Sequence, residues 1–593
     1  MVISLDKLPM QLSKIMPIID WLGRYRRSDL SGDAIAGIIT AIMLVPQGMA
    51  YALLAGLPPH VGLYASIAPL VLYALFGSSR VLAIGPVALI SLLVASTIGT
   101  LEQQGIAAHQ AALVLALLVG ACNIVLGVMR AGFLVNFLSH PVISGFTSAA
   151  ALVIGLSQLK HLLGIDIPRT NNIFEIVTQA AKQFDQINGV AFMIGVGGIA
   201  FLLFARQPLS KLLQGLGLKK TVSDIIAKAG PLILVLVSTS AVWILGLNQT
   251  AGVTIVGVIP SGLPPLTLPI ADLGIWQSLF PSALLISLVG FLESVSVAKA
   301  LASKRRQKID ANQELLGLGA ANIGAALTGG YPVTGGFSRS SVNFEAGANT
   351  PLASIITAGL VALTVLFLTP YFHFLPQAAL GAIIVVAVSG LIDLRMLKVA
   401  WVYNKADAAS LIVTFAIVLA FNVEIGIVTG LIVSLGLYLW RTATPHFAIV
   451  GRVAGTEHFR NINRHKVEIN PKILAIRIDE SLYFANARFL ETTLLNKVAE
   501  NAAVRHIVLI CSAVNAVDTS ALETLETLID ELRDAHVTLH LAEVKGPVMD
   551  KLERTDMLER LNPGQVFLST HAAISALEQE QIARTEIPAK TLA

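Results

Sequence analysis

Between Asp33 and Trp440 the chain is a succession of apolar stretches separated by short polar breaks, and after Arg441 it turns into a mixed sequence of soluble character. Few architectures accept such a pattern. Only 13% of the 593 residues are charged and 55% are hydrophobic, whereas soluble domains carry about 25% charged residues. So little polar surface over so long a chain requires a lipid solvent, and the backbone groups must then be satisfied within helices. The net charge of +4 is small and its cations lie in short clusters, which excludes a nucleic-acid footprint. Cys122 and Cys511 stand alone in their regions, so neither a disulfide framework nor a metal site is expected, and no cofactor motif is present. Met1–Ser31 holds Arg24, Arg26 and Arg27 without an apolar segment before them, which reads as no cleavable signal.

Fourteen apolar stretches are expected as spans, at 33–55, 60–78, 86–100, 108–130, 140–163, 188–205, 230–247, 275–300, 311–328, 338–347, 351–370, 377–391, 407–421 and 425–440. Cationic clusters such as Arg80, Arg130, Arg206/Lys211, Lys304/Arg305/Arg306 and Arg395/Lys398 follow even-numbered spans. The loops 248–270 and 371–376 follow odd-numbered ones and contain no Lys or Arg; loop 164–186, with Arg169 and Lys182 offset by acids, is the exception. This alternation predicts a multi-pass inner (plasma) membrane protein with both termini cytoplasmic. The expected domains are an N-terminal segment 1–30, a membrane domain 31–441, a linker 442–470, a small α/β domain 471–585 and a tail 586–593.

Two of the short stretches follow Gly/Pro breaks. VLAIGPVALISLLVAST from Val81 frees the backbone at Gly85 and puts Pro86 where a helix starts; GGYPVTGGFSRSSVNFEAG from Gly329 repeats the logic before Ser338. Proline suits a first helical turn because its missing N–H would be unpaired there. The two breaks are third in successive blocks of seven spans, the arrangement of an inverted repeat with a midplane site. Two half-helix starts facing each other offer unpaired N–H groups and positive dipole ends, a cavity suited to an anion. Ser338 adds a hydroxyl and Arg339 a full charge, against the alternative that the glycines only permit close helix packing. Gln47, after Pro46, and Tyr51 one turn later share a face of the first span; the Gln47 amide suits either a ligand or the carbonyl that Pro46 frees.

Glu293 lies within ALLISLVGFLESVSVAKALASK from Ala283. An ionised carboxylate inside a span must be paired, protonated or bound to a cation. Proton coupling is one reading and a structural pair with Lys299 or Arg339 the other; Na⁺ is disfavoured, because Val297, one turn on, offers no oxygen ligand. In the tail, 472–478, 506–512, 537–544 and 566–570 read as strands and 486–501, 519–535 and 547–560 as helices. Asp518 or Thr519 would cap the helix that opens in AVDTSALETLETL. Ser520 at the same turn suits a phosphorylation switch.

Taken together, PPHVGLYASIAPLVLYALFGSSR from Pro58, PQGMAYA, GPVA, GFLESVSVAKALASK and GGFSRSSVN resemble, in order, the SulP / SLC26 anion transporters, and the tail with its DTSA turn resembles a STAS domain. One departure is Val61, where many members have Tyr. The resemblance implies a 7+7 inverted repeat of fourteen spans with two broken half-helices, an elevator-like movement and a homodimer. It also implies substrate contacts from Gln47, Tyr51, Pro86, Val87, Phe337, Ser338 and Arg339, with Glu293 at an ion-coupling position. Sulfate:H⁺ symport is the expected activity. Na⁺- or H⁺-coupled bicarbonate or dicarboxylate transport, a channel-like anion conductor and a STAS signalling scaffold are the alternatives.

Overall fold

The structure is a computed structural model describing residues 16–102, 105–137, 139–167, 173–206 and 208–585. The tail 586–593, residues before 16 and Arg169 lie outside the described residues. The chain divides into two compact units between Ser434 and Leu435.

The first unit is mostly helical. The elements that build its interior are α1 (Arg27–Leu54), a two-residue strand β1 (Ile84–Gly85), α2 (Ala88–Glu102), α3 (Ala108–Val128), α4 (Leu273–Lys304), α5 (Ala311–Leu327), strand β2 (Thr334–Gly335) and α6 (Phe337–Glu345). Local sequence explains their starts. Asp272 and Asp310 cap α4 and α5, each accepting from two backbone N–H groups of the first turn, which satisfies donors that a helix start leaves orphaned. Small residues set the spacing: a Cβ on Gly120 of α3 would lie 2.9 Å from the Gly319 carbonyl of α5, and one on Gly319 3.0 Å from the Gly120 carbonyl. Such close backbone approach is how helices associate where lipid removes the hydrophobic drive.

Helices occur at each of the expected apolar stretches. Among the described residues, nine are long and apolar enough to cross a membrane, ten if the bent pair Val222–Lys228 and Gly230–Leu245 is one span. The other helices are shorter; α2 and α6 would extend only about 22 Å and 14 Å, against a hydrocarbon thickness of about 30 Å.

The second unit is built on a six-stranded sheet of β3 (Phe447–Arg452), β4 (Phe459–Asn461), β5 (Ile473–Ile478), β6 (His506–Ile510), β7 (Thr538–Ala542) and β8 (Val566–Phe567), in the order β4-β3-β5-β6-β7-β8. β5 to β8 are parallel, and β3 is antiparallel to both its neighbours. Alternation along the strands supplies two cores. Ile476, Ile507, Leu509 and Leu541 meet α7 (Ala487–Glu500), α8 (Thr519–Asp534) and the short α9 (Gly546–Leu552) and α10 (Met557–Leu561); Ala475, Val508 and Ile510 meet α11 (Thr570–Thr585). The expected linker 442–470 is corrected here. β3 and β4 lie within it and pair into the sheet, because the alternating FAIVGR run buries Ala448 and Val450 against α11.

Candidate functional site

Two Gly/Pro-rich segments that run extended through an apolar interior have backbone groups no helix satisfies, and they satisfy one another. β1 and β2 pair antiparallel, Ile84 opposite Gly335 and Gly85 opposite Thr334, and the Gly336 N–H donates to the Ala83 carbonyl at 3.2 Å. Gly85 has φ +151°, a region that side chains avoid. α2 and α6 depart from this crossing, so their N-terminal ends lie together. Side chains stitch the pair: the Ala83 N–H donates to Ser340 Oγ (2.9 Å), Asn343 Nδ2 to the Val81 carbonyl (2.9 Å), and Asn322 bonds both backbone groups of Val333. Ser91 of α2 and Tyr331 share a hydroxyl hydrogen bond of 2.9 Å.

Arg339 closes the crossing. Its side chain is 2% exposed, and Nη1 donates to the Pro86 carbonyl at 2.6 Å, tying one half-helix start to the other. Nε and Nη2 are buried without a hydrogen-bond partner among the described residues. The charge expected beside Ser338 is therefore turned inward, while Ser338 and Phe337 are exposed, Pro86 is buried and Val87 half-buried. On α1, Leu44, Gln47 and Tyr51 share a face, and that face meets the break: a Cβ on Gly85 would lie 3.3 Å from Leu44 Cδ1. Gln47 and Tyr51 are each 6% exposed. Arg339 lies within electrostatic reach of Tyr51, Glu293 and Tyr331.

Glu293 is carried by α4, and its Oε2 is buried with no hydrogen-bond partner among the described residues. Neither expected partner bonds that oxygen directly: Lys299 is exposed, and Arg339, though within electrostatic reach, bonds the Pro86 carbonyl. The next residue fixes α4 to the break. The Gly335 N–H donates to Ser294 Oγ (2.8 Å), which donates to Thr334 Oγ1 (2.7 Å), which donates to the Gly290 carbonyl (2.6 Å). No group of three His, Cys, Asp or Glu side chains able to hold a metal occurs among the described residues.

Sequence reasoning missed Thr334, Ser340, Asn322, Asn343, Ser91 and Tyr331; their shared signal is a polar side chain in an apolar stretch beside a Gly/Pro break. It also passed over two buried carboxylates. Glu314 of α5 accepts from Tyr73 Oη (2.6 Å), the Ser78 N–H (2.8 Å), Ser78 Oγ (2.7 Å) and the Ser79 N–H (2.9 Å). Asp33 of α1 accepts from the Asn349 and Thr350 N–H groups (2.7 and 3.0 Å) and from Thr350 Oγ1 (2.6 Å). In the second unit, Asp518 caps α8 through the Ala521 N–H and also accepts from the Phe484 N–H, with Ser520 exposed one residue inside the helix.

An apolar helical domain built around an interior pair of helix starts, followed by an α/β domain, has the layout of a membrane transporter. Comparison with known proteins agrees. The family model described as sulfate permease family matches residues 30–414, and the STAS domain model matches 464–573. The chain belongs to the sulfate permease family and carries a STAS domain. Chloroplastic sulfate transporter 4.1 of Arabidopsis thaliana is 38% identical over 581 residues, covering 96% of this chain and 83% of that one. High affinity sulfate transporter 2 of Stylosanthes hamata is 33% identical over 590 residues, covering 96% and 87%. The fold matches murine Solute Carrier 26 family member A9, an anion transporter solved in the inward-facing state, with TM-score 0.87 at 24% identity, covering 97% and 95%. It matches the transmembrane domain of the cyanobacterial bicarbonate transporter BicA with TM-score 0.59 at 21% identity, covering 70% and 99%.

Proposed function

We propose that the chain is a secondary active transporter that takes up sulfate by H⁺ symport. The observation that supports it most is the crossing itself: two half-helix starts held together at Pro86 and Arg339, with two buried guanidinium nitrogens that no described residue accepts from. Orphan donors in a low-dielectric interior favour an anion that completes them. The relatives named sulfate transporters support sulfate as that anion. Substrate contacts come from Gln47, Tyr51, Val87, Phe337, Ser338 and Arg339, with Pro86 as the anchor of the arginine.

Glu293 is the proton carrier in this reading. Its buried oxygen, with no hydrogen-bond partner among the described residues and with Arg339 within electrostatic reach, suits a group that carries charge only part of the time. Fourteen spans in a 7+7 inverted repeat, both termini cytoplasmic, an elevator-like movement and a homodimer complete the proposal for a plasma-membrane protein of bacterial type. Ser520 is the proposed regulatory position, since its exposed hydroxyl sits at a helix start where a phosphate would be favoured. Labelled sulfate uptake into proteoliposomes tests the site. Arg339→Ala should lower sulfate affinity on the order of tenfold to a hundredfold, the worth of charge-assisted hydrogen bonds; affinity equal to wild type would remove Arg339 from the site.

A further inference from the structure

Arg339 is held at one nitrogen only. With Nη1 on the Pro86 carbonyl, the remaining donors stay available only if the guanidinium keeps its place between the two turns, and no described residue hydrogen-bonds Nε or Nη2. Space is what lets it sit there. A Cβ on Gly336 would lie 2.9 Å from Nη2, 3.0 Å from Cζ and 3.4 Å from Nε of Arg339. A Cβ on Gly85 would lie 3.4 Å from Nη2, 3.3 Å from Leu44 Cδ1 and 3.7 Å from Ser66 Oγ. The two glycines thus flank the guanidinium.

Their backbones separate the two cases. Gly85, at φ +151°, is asked for by its conformation as well as by space. Gly336 has φ −88° and ψ 127°, which any L-residue adopts. Conformation therefore does not call for glycine at 336. The crowding there comes from the end of one flexible side chain, and that side chain is Arg339.

We propose that Gly336 is a positioning residue: its missing side chain leaves room for the Arg339 guanidinium to sit over the Pro86 carbonyl with its Nε–H and Nη2–H donors facing the anion, an inference that rests on the placement of Arg339 in the anion site. Gly336→Ala displaces those donors without straining the backbone.

The test is sulfate affinity and thermal melting of the purified full-length protein as wild type, Gly336→Ala, Arg339→Ala and the double variant. Gly336→Ala should weaken sulfate binding by about tenfold, as misplacement by a fraction of an ångström does at a preorganised site. Its effect on affinity and melting should vanish in the Arg339→Ala background, because coupled residues are non-additive. Wild-type affinity in Gly336→Ala overturns the inference, and so does an equal melting penalty in both backgrounds, since either makes Gly336 a matter of backbone alone. If Gly336→Ala does not fold, the double variant should, the crowding being gone; a double that also fails to fold counts against the proposal. Wild-type affinity in Arg339→Ala, by contrast, overturns the anion-site reading itself.

Discussion

Glu293 and Glu314 are carboxylates on two successive helices of one membrane domain, and their surroundings differ completely. Glu314 is fully buried and accepts four hydrogen bonds from Tyr73, Ser78 and Ser79, clamping the turn that leads into the first helix break. Glu293 has a buried oxygen that no hydrogen-bond donor among the described residues answers. Asp33, with three donors from Asn349 and Thr350, belongs with Glu314: it clamps the turn that follows α6. A charge inside a membrane protein is expensive wherever it sits. Only where its hydrogen-bond capacity is left open does the expense point to a moving ion; where it is filled, the carboxylate is a fastener.

The comparison can be broken from either side. Glu293→Gln should retain sulfate binding but lose gradient-driven accumulation altogether, measured as labelled sulfate inside proteoliposomes; unchanged accumulation would end the proton role. Glu314→Ala should do the reverse. It leaves several buried donors unanswered, at about 1–3 kcal/mol each, and should cost roughly 3–5 kcal/mol in stability. The readout is detergent melting, with coupling preserved in whatever protein remains folded. Asp33→Asn keeps an acceptor but weakens charge-assisted bonds, so a smaller loss of about 1–2 kcal/mol is expected, again without change in coupling ratio.

The smallest effect lies in the second unit, where a buried titratable group is neither open nor ion-paired. His540 is 3% exposed, accepts the Gln565 N–H at Nδ1 (3.2 Å) and shares a 3.2 Å contact from Nε2 to His506 Nδ1. Burial, and then the neighbouring His506, push it down to about 4 from 6.5, with Glu580 opposing. The unfolded chain therefore binds the proton first, so this group's stabilising contribution is present above about 6.5 and is lost as pH falls towards 4. Melting of the full chain at pH 7 and pH 5 should show that loss, and His540→Gln should flatten it.

Much of this was legible in the sequence where the signal is local. Gly85–Pro86 and Gly335–Gly336 mark helix breaks by their own chemistry, and DTSA marks a capped helix start. Between Asp518 and Thr519 as the cap, only coordinates decide; the Ala521 N–H bonds Asp518. What the sequence hid is non-local. The β1–β2 pairing joins residues some 250 positions apart through two-residue strands that no periodicity reveals. Arg339 read as a charge displayed beside Ser338, yet its partner is Pro86 in the other half of the domain. Glu293 and Glu314 look alike in an apolar run, because the donors of Glu314 come from residues 73–79. β3 and β4 escaped because they follow directly on an apolar helix, and only their pairing with β5 shows the domain beginning before residue 471.

The central claim is that an anion site at the helix crossing works together with a proton on Glu293. It is tested most directly by sulfate uptake into proteoliposomes of the full-length protein under an imposed pH gradient, acid outside, with a Na⁺ gradient applied separately. The account predicts accumulation of sulfate driven by the pH gradient and collapsed by a protonophore, with no response to Na⁺. Uptake indifferent to the pH gradient, or driven by Na⁺ instead, would contradict it.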